Sequence, residues 1–473
     1  MLFPTTDFAI FFVLVFLGHW LLNPYPTRWK LFMTAASYVF YAWWDPRLVW
    51  LLAASTLISQ VGALAVARAR TARGKRGAMI AAVGGQLGLL GWFKYYGFFA
   101  VSLDNMLRSV GLGSAFPLLQ VTLPVGISFF TFMGISYVID VYRGDAVPAP
   151  WLDFFVYQSF FPHLIAGPIV RARELVPQIQ VRRDPRRIDI GRAAYLIWGG
   201  LFKKVVLSSF LASAIVDPVF GAPRAHSSLE ILIAVYAYAV QIYADFSGYT
   251  DIAIGIALLL GFTLPQNFNC PYSARSAQDF WRRWHMTLSR WLRDYLYIPL
   301  GGSRGSDAQT YRNLILTMVL GGLWHGAAWT FVAWGLLHGI GLAVGKWRRD
   351  RRARLGLSEP SDPLHVGLQR FWTFQFVCLG WLLFRSDSIA TAFIMLWRLL
   401  TAWGPAPLVT PLVLLAVALG IGTQYVPRRV PQRVEASFAQ LTAAVQGVAL
   451  GATLMVITAL GPQGVAPFIY FRF

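Results

Sequence analysis

The sequence predicts an all-α polytopic membrane protein, and three observations lead to this fold class. Of the 473 residues, 56% are hydrophobic and only 13% are charged, whereas roughly a quarter of the residues in a soluble globular chain are charged. The apolar residues occur in long blocks, as helices that enter a membrane require. The 41 Lys and Arg residues lie mainly between these blocks and outnumber the 21 Asp and Glu residues. We interpret the net charge of +20 as a signal of cytoplasmic loops and not as a nucleic-acid-binding surface.

The N-terminal part predicts helices that cross the membrane in alternating directions. A spanning helix needs about 20 apolar residues, and the runs that approach this length are 8–22, 31–44, 48–67, 78–100 and 121–139. We assign the basic loop at 68–76 to the cytoplasm, which places the Pro46 turn and the N-terminus in the periplasm. Residues 102–120 are predicted to form a short outer segment. The first run lacks a basic start and a cleavage site, so it is predicted to be a retained span.

Two stretches in the middle of the chain are too irregular for simple spans. Residues 151–168 are interrupted by Pro and Gly and are followed by the basic loop 171–192, which predicts a re-entrant or interfacial segment. An outward span is predicted at 205–220. The 34-residue run at 229–262 carries two aspartates and a glycine near its middle, and we interpret it as a broken helix that lines a polar space. A helix–helix contact held by hydrogen bonds is the alternative.

The run at 313–345 carries no Lys, Arg, Asp or Glu and predicts a membrane hairpin. Residues 263–312, before it, are rich in Arg, Trp and Tyr and are predicted to form short amphipathic helices at the cytoplasmic face. A strongly basic segment also follows the run, so both flanks are assigned to the cytoplasm and the chain must enter, bend and return. The glycines near its middle surround His325. The imidazole is therefore predicted to lie at a bend inside the membrane.

The remaining apolar runs complete a count of about 10 to 12 membrane segments. They lie at 371–384, 389–402, 408–425 and 441–460, and the second of them is too short for a full span. No internal repeat and no separate soluble domain is evident. Residues 1–473 are predicted to be a single integral membrane domain.

His325 and His285 are the predicted catalytic residues. A neutral imidazole accepts a proton from a hydroxyl near pH 7, and an ionisable group deep in an apolar run indicates function. The alternatives are a histidine hydrogen-bonded to a neighbouring helix and an interfacial histidine. Weaker candidates for the lining of a substrate passage are His338, His163, Asp245 and Asp251.

Basic side chains beside His285 are candidates for binding the phosphates of an acyl donor. Arg282 and Arg283 are the two nearest, and guanidinium groups bind phosphate in a bidentate manner. Anionic lipid headgroups are an equally compatible partner. The sequence contains no phosphate-binding glycine loop, no HExxH metal motif and no G-x-S-x-G elbow, so no metal site is predicted.

Six motifs in order resemble the membrane-bound O-acyltransferase (MBOAT) family, and specifically its alginate O-acetylase-like polysaccharide branch. They are PVGISFFTF at 124–132, FFPHLIAGPI at 160–169, YADFSGYTDIA at 243–253, NFNCPY at 267–272, FWRRWHMTLS at 280–289 and GGLWHGAAW at 321–329. The closing FIYFRF at 468–473 is also similar to that branch.

This resemblance implies a fold and an activity. In the family, the position of His325 is the presumed catalytic histidine, that of His285 is its polar partner, and both lie along a central tunnel. It further implies acetyl-CoA as the cytoplasmic acyl donor, with no bound cofactor, and a location in the bacterial inner membrane as a multi-pass protein. The implied partners are the lipid bilayer, periplasmic SGNH-hydrolase-like acetyltransferase proteins and an exported polysaccharide as final acceptor.

Two alternatives remain open from the sequence. One is a non-enzymatic transporter or channel, in which Asp245, Asp251 and the histidines form an ion path. The other is the same family with a different reaction: D-alanine onto teichoic acid, acetyl onto cellulose or peptidoglycan, or an acyl chain onto a protein.

Overall fold

Helices account for all the regular secondary structure in the described part of the chain, which confirms the all-α prediction. A computed structural model describes residues 1, 3–112, 124–427, 429–442, 445–448, 451–452 and 455. The chain divides into two compact units, one formed by Met1–Asp189 with Ile256–Pro265 and the other by Ile190–Gly255 with Gln266–Phe473. Each unit is described separately below.

The described part of the first unit is helical. Its helices are Thr6–Leu22, Pro26–Ala42, Val49–Arg68, Ala72–Leu90, Tyr96–Ser109, Ile127–Arg143, Trp151–Ser159, Phe161–Leu164 and Ala172–Gln180. The predicted turn at Pro46 is a short 3-10 segment whose first backbone amides are capped by Asp45. The Asp45 side chain accepts a hydrogen bond from Arg47 N at 3.0 Å, so the charged turn ends one helix and starts the next.

The basic loop predicted at 68–76 is shorter than expected, and a helix extends to Ser109, into the outer segment predicted at 102–120. Thr71 caps the helix Ala72–Leu90 by accepting a hydrogen bond from Gly74 N at 3.0 Å, so most of the basic residues lie in its first turns. Long basic side chains on a helix can still extend to water. The positions of the charges therefore do not show where the loop ends and the helix begins. The helix continues through a π-helical turn, Gly91–Tyr95, into Tyr96–Ser109. Residues 113–123 lie outside the described part.

The interruption predicted within 151–168 is confirmed. The helix Trp151–Ser159 ends at Phe160, and a separate single turn, Phe161–Leu164, follows with Pro162 in its first positions. Proline is tolerated there because the first amides of a helix have no helical partner. Placement of this segment as re-entrant or interfacial stays a prediction.

The second unit contains the longest helices. The helices of this unit are Ile190–Leu201, Ser228–Leu259 as far as Gly255, Ala277–Trp281, Met286–Leu292, Asp307–His325, Trp329–Arg354, Pro363–Arg385, Ile389–Thr401, Pro411–Gly422 and Arg429–Ala439. The first of them continues through two π-helical turns to Gly221, so the span predicted at 205–220 belongs to a 32-residue element, Ile190–Gly221. Most of the run predicted at 441–460, and the closing motif at 468–473, lie outside the described residues.

The prediction of a broken helix at 229–262 is wrong, because Ser228–Leu259 is one continuous 32-residue helix. Both aspartates have partners within the protein: Asp245 forms an ion pair with Lys204, and Asp251 forms one with Lys203. Each carboxylate thus meets a cation from the preceding helical element. The structure has the helix–helix contact that was the alternative interpretation.

A close backbone approach brings these charges together. A Cβ atom added to Gly200 would lie 2.6 Å from the carbonyl oxygen of Gly248, and one added to Gly248 would lie 2.7 Å from that of Gly200. Only glycine at both positions allows the two helices to come so close. The two lysines lie three and four residues after Gly200, about one helical turn further along, which sets them beside the aspartates.

The bend predicted near the middle of 313–345 is confirmed. The helix Asp307–His325 ends at His325, Gly326 and Ala328 have extended backbones, and Trp329–Arg354 returns. We call these two helices the histidine hairpin. They pack closely, since a Cβ added to Gly322 would lie 2.2 Å from Phe331 O and one added to Gly335 would lie 2.4 Å from Met318 O.

Three helices in the described residues are long and apolar enough to cross a membrane: Pro46–Arg68, Ile190–Gly221 and Ser228–Leu259. A bent pair, Pro411–Tyr425 with Arg429–Ala439, makes a fourth if it is one span. These are fewer full-length spans than the 10 to 12 membrane segments that hydropathy predicts. Several of the other apolar runs form shorter helices, including Thr6–Leu22 and the 13-residue Ile389–Thr401.

Candidate active site

His325 is the last residue of the first helix of the histidine hairpin, and its side chain is directed into protein. It is 3% exposed. Its ring centroid lies 4.9 Å from that of Trp334 on the returning helix, 5.0 Å from that of Trp324 and 5.3 Å from that of Phe384. The imidazole is therefore enclosed by aromatic rings and does not face lipid.

His285 lies at the junction of two short helices and is fully buried. Ala277–Trp281 precedes it and Met286–Leu292 follows it. Its backbone has φ +41°, an uncommon conformation for a residue other than glycine. The Nδ1 atom lies 3.1 Å from the side-chain oxygen of Asn267.

Trp324 contacts both predicted catalytic residues. Its ring centroid lies 6.0 Å from that of His285 and 5.0 Å from that of His325. The two histidines, which are 40 positions apart in the sequence, are thus members of one aromatic cluster within the second unit.

His338 belongs to the same cluster. Its ring lies 4.7 Å from that of Trp334, which also contacts His325, and its Nδ1 accepts a hydrogen bond from Trp281 Nε1 at 3.3 Å. A Cβ added to Gly380 would lie 2.8 Å from His338 Nε2, so the ring packs against the backbone of that residue. The structure therefore brings together three of the four predicted histidines.

A cavity with a volume of about 430 Å³ lies in the second unit beside this cluster. Trp281, the hydrogen-bond donor to His338, lines it, as does Met286, the residue after His285. Five cationic side chains also line it: Arg282, Arg290, Arg293, Lys346 and Arg349. Its volume lies in the range of sites for small molecules and cofactors, and no carboxylate is among the lining residues that the structure describes.

The charge of the cavity is partly neutralised at two of these positions. Arg293 pairs with Asp294 at 2.6 Å and Lys346 pairs with Asp350 at 2.7 Å. Lys346 and Arg349 come from the last turns of the histidine hairpin, and the three arginines at 282, 290 and 293 come from the short helices. The cavity is thus cationic and suited to an anionic molecule.

Of the two arginines predicted to contact donor phosphates, only Arg282 lines the cavity. Arg283 instead donates a hydrogen bond from Nε to Asp279 Oδ1 at 2.8 Å and another from Nη1 to Ser273 Oγ at 3.3 Å. Asp279 precedes Arg283 by four residues, the spacing of a helical ion pair. The sequence contained the signal that this guanidinium has an internal partner.

The remaining candidates have structural partners. His163 lies in the first unit, where its Nε2 is 3.0 Å from the carbonyl oxygen of Tyr157 and its ring packs against Phe160. Asp245 and Asp251 form the ion pairs with Lys204 and Lys203 described above. These contacts explain the three side chains without a substrate.

Sequence reasoning missed Asn267, Trp334, Lys346 and Arg349 as site residues. Trp334 differs from aromatic residues elsewhere in the chain only through its tertiary contacts. Lys346 and Arg349 were used only to assign that end of the hairpin to the cytoplasm. The sequence pattern alone does not show that they lie close to the segment 281–293. Asn267 carried a signal, since it opens one of the ordered motifs.

The arrangement combines buried imidazoles with a cationic cavity. A neutral imidazole can accept a proton from a reacting hydroxyl or thiol, and the aromatic rings around it exclude water from the reacting groups. The fold and the site together define a polytopic membrane protein with a buried histidine centre.

Comparison with known proteins identifies the family. The model of the membrane-bound O-acyltransferase family, MBOAT, matches residues 138–386, which include all the members of the histidine cluster. The chain belongs to this family. The protein is therefore an acyltransferase. The alternative prediction, a transporter without enzymatic activity, is wrong.

Three relatives illustrate the range of named activities. The chain is 42% identical to the probable alginate O-acetylase AlgI of Azotobacter vinelandii over 418 residues, which cover 85% of this chain and 78% of that protein. It is 38% identical to the peptidoglycan O-acetyltransferase of Helicobacter pylori, over 83% of this chain and 78% of that protein. It is 30% identical to the teichoic acid D-alanyltransferase of Streptococcus thermophilus, over 55% of this chain and 68% of that protein.

Proposed function

We propose that this protein takes acetyl from a cytoplasmic donor and passes it across the bacterial inner membrane for the O-acetylation of an exported polysaccharide of the alginate type. His325 acts as general base or acyl relay, and His285 orients or assists. Acetyl-CoA is the donor. Periplasmic proteins with an SGNH-hydrolase-like fold carry out the final transfer to sugar hydroxyls.

The observation that carries this proposal is the shared contact of His285 and His325 with Trp324, next to a cationic cavity. Acyl transfer requires a base close to the reacting group, and the cluster supplies two imidazoles that are enclosed by protein. A donor that carries phosphates requires positive charge, which the cavity supplies through Arg282 and its neighbours.

The choice of acetyl as the transferred group is supported by the relatives. Those named as acetyl-transferring proteins match the chain at 38% and 42% identity over more than four-fifths of its length. The relative named for D-alanyl transfer matches at 30% over about half. Since alginate and peptidoglycan both occur among the names of the acetyl-transferring relatives, peptidoglycan is the second candidate acceptor.

The test is His325→Ala, compared with the unaltered protein in cells that export the polymer. We expect the acetyl content of the polymer to fall to the level of a strain that lacks the protein, while the variant still inserts in the inner membrane at normal abundance. His365→Ala is the matched control, because His365 is exposed and hydrogen-bonded only to the nearby Asp362 in the described residues. Normal acetyl content in the His325→Ala strain would refute the proposed role.

Identification of the acceptor uses the same strains. Acetyl groups are released by mild base from the exported polysaccharide and, separately, from purified peptidoglycan, and both are quantified. Loss from the polysaccharide alone supports the proposal, and loss from the peptidoglycan alone assigns the second candidate. Purified protein with radiolabelled acetyl-CoA tests the donor: the cavity should bind it, and label should reach polysaccharide hydroxyls, with release of CoA, only when the periplasmic partner proteins are added.

A further inference from the structure

The side-chain oxygen of Asn267 contacts three groups of the segment that carries His285. His285 Nδ1 lies 3.1 Å from it, Thr287 N donates to it at 3.2 Å, and Thr287 Oγ1 lies 2.9 Å from it. Asn267 is 1% exposed, so these contacts are made in the interior of the protein. The oxygen atom of Asn267 is therefore the common hydrogen-bond acceptor for His285 and Thr287.

The orientation of the Asn267 amide is fixed by chemistry. A backbone N–H can only donate, so the atom that faces Thr287 N must be the oxygen and not the nitrogen of the amide. The same oxygen faces His285 Nδ1, and an amide oxygen can only accept. The proton of this hydrogen bond must therefore reside on Nδ1 of His285.

The backbone holds the ring at this position from both sides. Met286 N donates to Asn267 O at 2.9 Å, and Asn269 N donates to Arg283 O at 2.9 Å, so the segments 267–269 and 283–287 are joined by main-chain hydrogen bonds. The left-handed backbone of His285 lies between these two bonds. These two main-chain bonds hold the backbone of His285 in its uncommon conformation, with the ring in contact with Asn267 and Trp324.

We propose that Asn267 is a positioning residue that holds neutral His285 in the tautomer protonated at Nδ1. The lone pair is then on Nε2, which becomes the atom that accepts a hydrogen bond from the reacting group. A histidine with the opposite tautomer would present an N–H to the same group and could not act as an acceptor. The catalytic consequence rests on the proposed role of His285, whereas the tautomer itself does not.

The experiment reads the tautomer directly. The full-length protein is reconstituted in lipid with isotope-labelled histidine, and solid-state ¹⁵N–¹³C correlation spectra distinguish a ring protonated at Nδ1 from one protonated at Nε2. The signal of His285 is identified as the one that is lost in His285→Gln. We expect protonation at Nδ1 in the unaltered protein, and protonation at Nε2 would overturn the proposal.

Two substitutions at Asn267 make the test specific. Asn267→Leu removes the acceptor and should abolish the preference for Nδ1, whereas Asn267→Asp keeps an acceptor oxygen and should retain it. Thr287→Val is the matched control, because it removes another donor to the same oxygen and leaves the imidazole contact in place. An unchanged Nδ1 tautomer in Asn267→Leu would overturn the proposal, even if that variant were less stable.

Activity measurements separate this inference from the proposed function. Asn267→Leu should lower kcat for acetyl transfer on the order of 10- to 100-fold, the range known for partners that orient metal-bound histidines, with the KM for the donor changed less than about 2-fold. Asn267→Asp should recover most of the lost kcat. If the unaltered protein transferred no acetyl, the proposed function would fail while the tautomer result would stand; a normal kcat in Asn267→Leu would refute the positioning role alone.

Discussion

The indole of Trp324 lies 6.0 Å, centroid to centroid, from the imidazole of His285, and it also contacts the neighbouring His325. Because one side chain touches both rings, its size sets how the two histidines are placed relative to each other. A comparable role belongs to Trp334, which contacts His325 and His338.

Truncation of Trp324 should impair acyl transfer more than it impairs insertion in the membrane. Trp324→Ala leaves space beside both imidazoles, and a displacement of about 1 Å in a catalytic group can reduce the rate on the order of 100-fold. Trp324→Phe retains a ring and should keep most of the activity. The measurement is the acetyl content of the exported polymer, with exposed Trp329→Ala as control, for which no change is expected. Full activity in Trp324→Ala would contradict the placement role.

The two adjacent arginines should behave differently in donor binding. Arg282→Gln removes a cation from the lining of the cavity and should raise the KM for acetyl-CoA by about 10-fold, since a hydrogen bond to a charged group is worth about 1.5–3 kcal/mol. Arg283→Gln is the matched control, because Arg283 is bonded to Asp279. Its KM should stay within about 2-fold of normal. Equal effects of the two substitutions on KM would show that the cavity is not the donor site.

The ion pair between Lys204 and Asp245 should stabilise the folded protein and should not take part in acyl transfer. Both side chains are buried, at 2% and 4% exposure, and removing one partner of a buried pair costs about 3–5 kcal/mol because the other charge is left uncompensated. Lys204→Met alone should therefore lower the unfolding temperature in detergent.

The double variant Lys204→Met with Asp245→Asn tests this assignment. It should recover much of the lost stability and should retain acetyl transfer. If the double variant were stable but inactive, Asp245 would have the functional role that the sequence suggested for it.

Because the helices of the histidine hairpin pack closely, adding a single methyl group at Gly335 should strongly destabilise the protein. Gly335→Ala would bring a Cβ to 2.4 Å from the carbonyl oxygen of Met318, and that backbone cannot move without separating the helices. We expect low yield and a lower unfolding temperature. Gly345→Ala is the control in the same helix, where only the end of Arg349 is near, at 3.6 Å. Alanine should stabilise that position by up to about 1 kcal/mol, from helix propensity.

The sequence was informative wherever the signal was local. Charge on both sides of 313–345, together with the glycines around His325, predicted the bend because a charge-free run whose two ends are assigned to the same side of the membrane has to reverse. The break at Phe160 followed from Pro162 in the same way. Such features depend only on neighbouring residues and on the membrane as solvent.

The sequence failed where the partner was distant. The aspartates of Ser228–Leu259 suggested a broken helix because their lysines lie 41 and 48 residues earlier, in another element. Likewise, no spacing rule connects Arg349 with Arg282, or Asn267 with His285. These relationships arise from tertiary packing, and they supply most of what distinguishes the site from an ordinary aromatic core.

Because the two helices of the histidine hairpin pack closely, the length of the loop between them determines where Trp334 lies relative to His325. Residues 326–328 join two helices whose backbones are held in contact by Gly322 and Gly335, and each residue turns a helix by about 100°. One extra residue between His325 and Trp334 would rotate the indole to another side of its helix. The length of this connection is therefore as much a part of the site as the residues that it joins.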